Sequence, residues 1–341
     1  MYPKLFGLFN TYGLMIGIGV LVCLWVFHKY GKKKGLEDKF IDFVEWLAII
    51  AIIFGFTAAA IFQSFYNYIA SPSSGFDNGL GSILGLALAV FFVLVIVAFQ
   101  FIAKKINISA DRKEFIDRVL VDLVAIGTIA PTIIIAVVSY IKNTADGLDF
   151  NGGITFIGGL IGGVVSFLIV YFWKRKQFKS KLIDMLSIAP CSITVAHGFG
   201  RLGCFFAGCC YGITSGTKFD MAFPIWSSDW EITGYVYHLP TQLYEAIFLF
   251  ILFGIMTLLL LKKDFKYNMP VYLISYGIWR FLIEFIRDDD RGSFIGNISP
   301  SQFWSIIMLA IGVALIFLIN YIYKNRKLEL VDEPEKVEKK D

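Results

Sequence analysis

The chain has 341 residues, 57% of them hydrophobic and 17% charged, with a mean hydropathy of +0.68 and a formal net charge of +4. Soluble domains carry about one-quarter charged residues, so this composition excludes an ordinary soluble domain and describes an integral membrane protein. The small positive surplus gives no reason to expect nucleic acid as a partner, while 34 Phe and 16 Tyr suit lipid and the headgroup level.

About nine apolar runs approach the roughly 20 residues that a helix needs to cross hydrocarbon. They lie at 12–28, 44–66, 80–103, 118–141, 153–173, 183–203, 241–262, 269–287 and 303–323. The first is expected to be a retained helix: its lysine cluster follows the apolar run, and no small-residue cleavage site appears. The connections "HKYGKKKGLEDK", "KKINISADRKEFIDR", "KRKQFKSK" and "KKDFK" are basic, as is the start of the tail, and the segments between them hold one Lys or Arg or none. The positive-inside rule then puts the amino terminus outside and the carboxyl terminus in the cytoplasm, with 204–240 and 288–302 on the outer side.

The expected fold is an all-α polytopic membrane protein with about nine transmembrane helices and a small extracytoplasmic segment between the sixth and seventh. One transmembrane domain is expected over 1–323, followed by a disordered cytoplasmic tail at 324–341. "KFIDFVEWLAII" is echoed by "EFIDRVLVDLVA", and "SGFDNGLGSILGLALAV" by "DGLDFNGGITFIGGLIGG". The stretch 80–145 therefore reads as an inserted or duplicated helix pair, against coincidence among apolar segments.

A charge inside a membrane helix is costly unless it faces a partner or a polar cavity, so such residues are functional candidates by default. In "YGIWRFLIEFIRDDDRG", Tyr276, Arg280, Glu284 and Arg287 recur at helical spacing and share one face. Two readings are open: an internal Arg280–Glu284 ion pair, or a cationic cavity in which arginine holds the oxygens of a lipid phosphate. Upstream, "HGFGRLGCFFAGCCYG" sets His197, Arg201 and Cys204 along one helix face, and a neutral histidine there could take up a proton.

The five cysteines, Cys23, Cys191, Cys204, Cys209 and Cys210, form no disulfide framework. C-x4-C-C is not a zinc spacing, and nothing in the turn completes four ligands, so no metal is expected. Small apolar packing in a turn built by Gly203, Gly208 and Gly212 is the plainer reading of these thiols, beside a Cys204 disulfide to Cys209 or Cys210. "TFIGGLIGG" places Gly158, Gly159 and Gly162 at small-xxx-small spacing, which lets another backbone or a lipid approach closely. In "HLPTQLYEA", Thr241 can cap a helix, Gln242 and Tyr244 offer hydrogen bonds, and Glu245 adds an intramembrane carboxylate.

Taken together, Tyr12-Gly13-Leu14, Gly158-Gly159-Leu160-Ile161-Gly162 and the motifs at 197–212, 238–246 and 276–292 resemble the bacterial prolipoprotein diacylglyceryl transferase family. The resemblance implies a multi-pass enzyme of the bacterial cytoplasmic membrane. Such an enzyme moves the diacylglyceryl group of phosphatidylglycerol to the thiol of a prolipoprotein lipobox cysteine and releases glycerol 1-phosphate. It also implies no metal or organic cofactor, and a monomer is expected.

Arg201, Gly203 and Gly212 match the family signature, and Tyr276 and Arg280 match residues that hold the phospholipid headgroup. Departures are specific. Cys204 and Cys209 stand where the family has asparagine and glutamate, and Ile157 stands where a histidine precedes the paired glycines. "GFTAAAIF" replaces an expected basic residue, and an extra leucine separates His238 from Pro240.

On the transferase reading, Arg201 and Arg280 hold the phosphate and stabilise the departing glycerol phosphate, while His197, Glu245 or Glu284 assists proton transfer. Tyr12, Gly158, Gly159, Gly162, Gly203, Gly212, Gln242, Tyr244, Tyr276, Glu284 and Arg287 are then expected to line the lipid. Cys204, Cys209 and Cys210 remain open. The competing reading is a divergent paralogue that binds phospholipid without this activity or serves another acceptor. A transporter fits less well, because the charges cluster near the outer face instead of at the midplane.

Overall fold

The computed structural model describes residues 4–5, 9–70, 156–178, 182–226, 232–263, 265–288 and 298–332. Seven longer helices are present among the described residues: α1 (Thr11–Lys33), α2 (Asp38–Ala70), α3 (Phe156–Lys174), α4 (Ala189–Ala207), α5 (Thr241–Lys263), α6 (Asn268–Ile283) and α7 (Pro300–Asp332). The spans expected at 80–103 and 118–141, with the second copy of the repeat, lie outside the described residues. Among the described residues, four stretches are long and apolar enough to cross a membrane: Thr11–Lys33, Thr241–Lys263, Asn268–Ile286 and Pro300–Asn325. Their outer faces carry Leu21, Trp25, Ile251 and Phe317, all more than half exposed. A helix apolar all round fits a lipid surrounding, where outward hydrophobic side chains need no protein partner.

The all-α expectation is corrected in two places. A short antiparallel pair, β1 (Lys4–Leu5) with β2 (Phe9–Asn10), precedes α1. The segment between α4 and α5 contains the hairpin β3 (Met221–Trp226) and β4 (Ile232–His238), paired from Met221↔His238 to Trp226↔Ile232 with an irregularity at Ile225/Trp226. Alternation along "ITGYVYH" marks the strand: Tyr235 and Tyr237 point outward, while Phe223 opposite Val236 is buried. A short alternating run inside an otherwise helical chain is easily passed over. The run at 183–203 is also not one helix. A single turn at Leu182–Met185 precedes α4, whose first turn holds Pro190, where a missing N–H costs nothing.

Contacts divide the chain into two compact units, Met1–Ile41 with Lys179–Asp341, and Asp42–Phe178. In the second unit the glycines of α3 serve close helix packing. A Cβ on Gly159 would meet the Gly55 carbonyl oxygen at 3.1 Å, and one on Gly162 would overlap Ala58. Phe43 stacks on Phe178 with ring centroids 4.8 Å apart.

In the first unit α4 packs against α1 and α5, and α6 packs against α7. Because these helices run up and down in turn, the start of α1, the end of α4, the start of α5, the end of α6 and the start of α7 gather at one end. Gly212 ties three of the segments there. Its N–H donates to the Leu239 carbonyl (2.8 Å), the next N–H donates to Ile286 O (2.9 Å), and Gly212 bridges Arg287. A Cβ at Gly212 would run into the Ile286 oxygen and lie 2.7 Å from Thr241 Cγ2.

Gly212→Ala is therefore expected to destabilise by about 1–3 kcal/mol through overpacking. Gly254→Ala, where a Cβ meets nothing within 4 Å, is expected to be neutral or slightly stabilising. Thermal unfolding of the two variants in detergent checks the contrast.

Candidate active site

The residues gathered at that end form two linked ionic clusters. Glu245, in the second turn of α5, has no solvent exposure. Its Oε1 accepts from Arg201 Nε at 3.0 Å and from the Tyr276 hydroxyl at 2.6 Å, and Arg201 Nη2 reaches the same hydroxyl at 3.4 Å. Glu245 Oε2 is buried and makes no hydrogen bond among the described residues. Helix geometry explains the meeting. Arg201 sits near the end of α4, Glu245 near the start of α5 and Tyr276 on the inner face of α6, where a charge must find its opposite.

The second cluster extends from Tyr276 by one turn. Arg280 Nη1 pairs with Glu284 Oε2 at 2.7 Å, and its Nη2 donates to Ser301 Oγ at 2.8 Å. Ser299 Oγ donates to Glu284 Oε1 at 2.8 Å, and Arg287 Nε lies 3.9 Å from the same carboxylate. Of the two readings left open by the sequence, the internal ion pair is formed. Among the described residues, the guanidinium groups of Arg201, Arg280 and Arg287 thus gather around the carboxylates of Glu245 and Glu284.

His197 does not share the Arg201 contacts. Its Nδ1 lies 3.1 Å from the Tyr272 hydroxyl, and its ring stands edge-on to Tyr276 at 4.6 Å, while Tyr272 and Tyr276 stack at 5.9 Å. Tyr272, Ser299 and Ser301 are site residues that the sequence reading missed. Tyr272 continues the Tyr276–Arg280 face one turn earlier, so the same spacing could have found it; no comparable signal marked the serines.

After α4, Gly208 takes a left-handed conformation (φ 72°), with its N–H bonded to Phe205 O and the Cys209 N–H bonded to Cys204 O. Cys210 follows at φ 64°, the one non-glycine residue with positive φ among those described, a conformation that costs about 1–2 kcal/mol. Two side chains of α5 hold this turn. Gln242 Nε2 donates to Cys209 O at 2.5 Å, and Thr241 Oγ1 donates to Cys210 O at 3.0 Å. Thr241 thus binds a carbonyl across the turn instead of capping its own helix, and Gln242 faces the cysteine turn.

The turn brings Cys204, Cys209 and Cys210 together with every sulfur within 4.8 Å of the others, a grouping that the C-x4-C-C spacing did not suggest. None of these thiols is in a disulfide. Hydrogen bonds from the Cys204 and Cys209 thiols, and then the Arg287 guanidinium, hold the Cys210 thiol well below the ordinary thiol range. Tyr12 reaches this side from α1, its ring against Gly203, where a Cβ would stand 3.1 Å from Tyr12 Cδ2. Tyr244 is half-buried on α5 beside Glu245. Gly158, Gly159 and Gly162 belong to the other compact unit.

Comparison with known proteins identifies a family. The model of the family described as prolipoprotein diacylglyceryl transferase matches residues 82–318, so the match also runs through the stretch outside the quoted motifs. The phosphatidylglycerol–prolipoprotein diacylglyceryl transferase of Clostridium tetani (strain Massachusetts / E88) is 29% identical over 326 residues, covering 94% of this chain and 97% of that protein. Its namesake from Prochlorococcus marinus (strain MIT 9301) is 30% identical over 304 residues, 77% of this chain and 99% of the relative. Transferase 2 of Clostridium perfringens (strain 13 / Type A) is 38% identical over 181 residues, 52% and 66% of the two chains. With more than half its length matched by the family model and a 30% identical relative matched over 99% of that relative's length, the chain belongs to the prolipoprotein diacylglyceryl transferase family.

Proposed function

We propose that this protein transfers the diacylglyceryl group of phosphatidylglycerol to the cysteine thiol of a prolipoprotein and releases glycerol 1-phosphate. The observation that carries the reading is the buried cluster in which Glu245 and Glu284 hold the guanidinium groups of Arg201 and Arg280 at fixed positions. A phosphodiester brings one negative charge and oxygens that guanidinium groups bind through charge-assisted hydrogen bonds. In a low-dielectric site these guanidinium groups favour anionic lipid over an uncharged one, and they favour the leaving glycerol phosphate more, because a second charge develops on it.

Arg201 and Arg280 contact the phosphate on this reading, and each is pre-oriented by its carboxylate partner. Glu245 fixes Arg201 and the Tyr276 hydroxyl, and Glu284 with Ser301 fixes Arg280. His197 acts as a positioning residue for Tyr276 through ring contact, with Tyr272 behind it. Tyr12 and Tyr244 border the path of the lipid and the acceptor. The chemistry needs a thiolate, a glyceryl carbon in line with it and a stabilised phosphate leaving group.

The chain is inferred to cross the bacterial cytoplasmic membrane about nine times, amino terminus outside and tail in the cytoplasm. The site then opens on the outer side, where a secreted precursor presents its cysteine. The protein is inferred to act as a monomer.

In purified protein supplied with phosphatidylglycerol and a lipobox peptide, Arg280→Ala is expected to lower glycerol phosphate release about 10²- to 10³-fold. Arg201→Lys, which keeps charge but loses the planar fork, should lower it more than tenfold. Wild-type rates in both variants would sink the assignment. A periplasmic reporter inserted at Gly216 is expected to be active and one inserted after Lys263 inactive; the reverse pattern would overturn the orientation.

A further inference from the structure

Three cysteine sulfurs lie within 4.8 Å of one another in the turn after α4, all of them free thiols that neither the ionic network nor the lipid contacts use. The backbone holds them there: Gly208 ends α4 in a left-handed turn, Cys210 keeps a left-handed φ, and Gln242 and Thr241 grip the carbonyls of Cys209 and Cys210. Cys209 and Cys210 are poorly placed to bridge each other, because consecutive Cα atoms stand about 3.8 Å apart and a disulfide spans about 4.4–6.8 Å. Cys204 is then the bridging partner. Cys210 is the nucleophile of the set, since the thiols of Cys204 and Cys209 and the Arg287 guanidinium face its sulfur and favour the thiolate. Cys209 is exposed while Cys204 and Cys210 are half-buried, so one side of the turn is open to a reagent. A thiolate beside a cation, reachable from solvent and with a second thiol at hand to resolve it, is the arrangement found in redox-responsive cysteines.

We propose that Cys204 and Cys210 are a reversible dithiol–disulfide pair, closed by exchange with a disulfide on the outer side of the membrane, and that closing it loosens the hold of Arg280 on lipid phosphate. The Cys210 thiolate attacks one sulfur of the incoming disulfide RSSR; the S–S bond breaks and RS⁻ leaves with its electron pair. Cys204 gives its proton to that RS⁻, attacks the Cys210 sulfur of the mixed disulfide and releases the second RS⁻. Both cysteines are thereby oxidised, and RSSR is reduced to one thiol and one thiolate. Once bridged, Cys210 carries no charge and its contact with Arg287 is lost. Arg287 Nε already stands 3.9 Å from Glu284 Oε2, the oxygen that holds Arg280 Nη1 at 2.7 Å. Arg287 then competes with Arg280 for that oxygen, and Arg280 is less firmly placed. This coupling rests on the reading of Arg280 as a phosphate ligand; the disulfide itself does not.

The test uses the full chain in phosphatidylglycerol-containing nanodiscs, treated with oxidised glutathione or with dithiothreitol and then alkylated with iodoacetamide. Cleavage after Phe206 separates Cys204 from the other two thiols, so linked peptides identify the bond. The oxidised chain is expected to show Cys204 joined to Cys210 and the alkyl mark on Cys209, and dithiothreitol should reverse the bond. In Cys204→Ser the mixed disulfide of glutathione with Cys210 should accumulate instead. Native mass spectrometry should find phosphatidylglycerol bound about tenfold more weakly by the oxidised wild type than by the reduced one. Cys210→Ser should lose that response to oxidant, as should Cys210→Gly, which relieves the left-handed strain and should unfold no earlier than wild type.

Alkylation of both Cys204 and Cys210 after oxidant, a Cys204–Cys209 bond in place of the expected one, equal lipid binding by the oxidised and reduced chains, or a response that persists in Cys210→Gly would overturn the proposal. Glycerol phosphate release from the reduced chain with a lipobox peptide separates the two readings. Bond closure with lipid loss but no release contradicts only the transferase assignment, whereas release without bond closure contradicts only the dithiol pair.

Discussion

A carboxylate with no solvent exposure has to be neutralised where it sits, and Glu245 is neutralised by Arg201 and the Tyr276 hydroxyl. Removing one partner of such a buried pair typically costs about 3–5 kcal/mol, because the other charge is left stranded. The contact therefore fixes α4, α5 and α6 relative to one another at one end of the bundle. Arg280 and Glu284 repeat the device one turn further along α6 and bring in the start of α7 through Ser301 and Ser299. Burial of these ions stabilises the fold little, if at all, compared with an apolar replacement. Its value lies in holding guanidinium groups at fixed positions.

The cysteine turn depends on the same helix ends. Thr241 and Gln242, just before Glu245 on α5, hold the backbone carbonyls of Cys210 and Cys209, so one helix start orients both the ionic cluster and the thiols. Gly212 closes the arrangement by letting the chain pass between Leu239 and Ile286 with no side chain in the way. The polar groups of the site are thus supported mainly by helix termini, whose own backbone would otherwise need partners.

Much of this was legible in the sequence. Apolar runs located the described helices, and intramembrane charges singled out Arg201, Glu245, Arg280 and Glu284, because a membrane tolerates such residues only for a reason. What the sequence left open were choices among partners. Helical spacing put Arg280 and Glu284 together, but the pairing of Arg201 with Glu245 and Tyr276 crosses between helices and required the fold. The thiol cluster was hidden for a related reason. Spacing rules for metal sites assume standard turns, whereas Cys210 joins its neighbours through a left-handed backbone that a non-glycine residue rarely adopts. The β3–β4 hairpin escaped because its alternation spans only seven residues at Ile232–His238 and is flanked by helices.

The central claim is that the buried guanidinium groups of Arg201 and Arg280 hold the phosphodiester of one phosphatidylglycerol. Native mass spectrometry of the chain released from micelles of mixed phosphatidylglycerol and uncharged diacylglycerol tests it directly. The account predicts one retained phosphatidylglycerol per chain in the wild type and its loss in both Arg201→Gln and Arg280→Gln. Retention of the lipid by either variant at wild-type occupancy, or equal retention of diacylglycerol by the wild type, would contradict it.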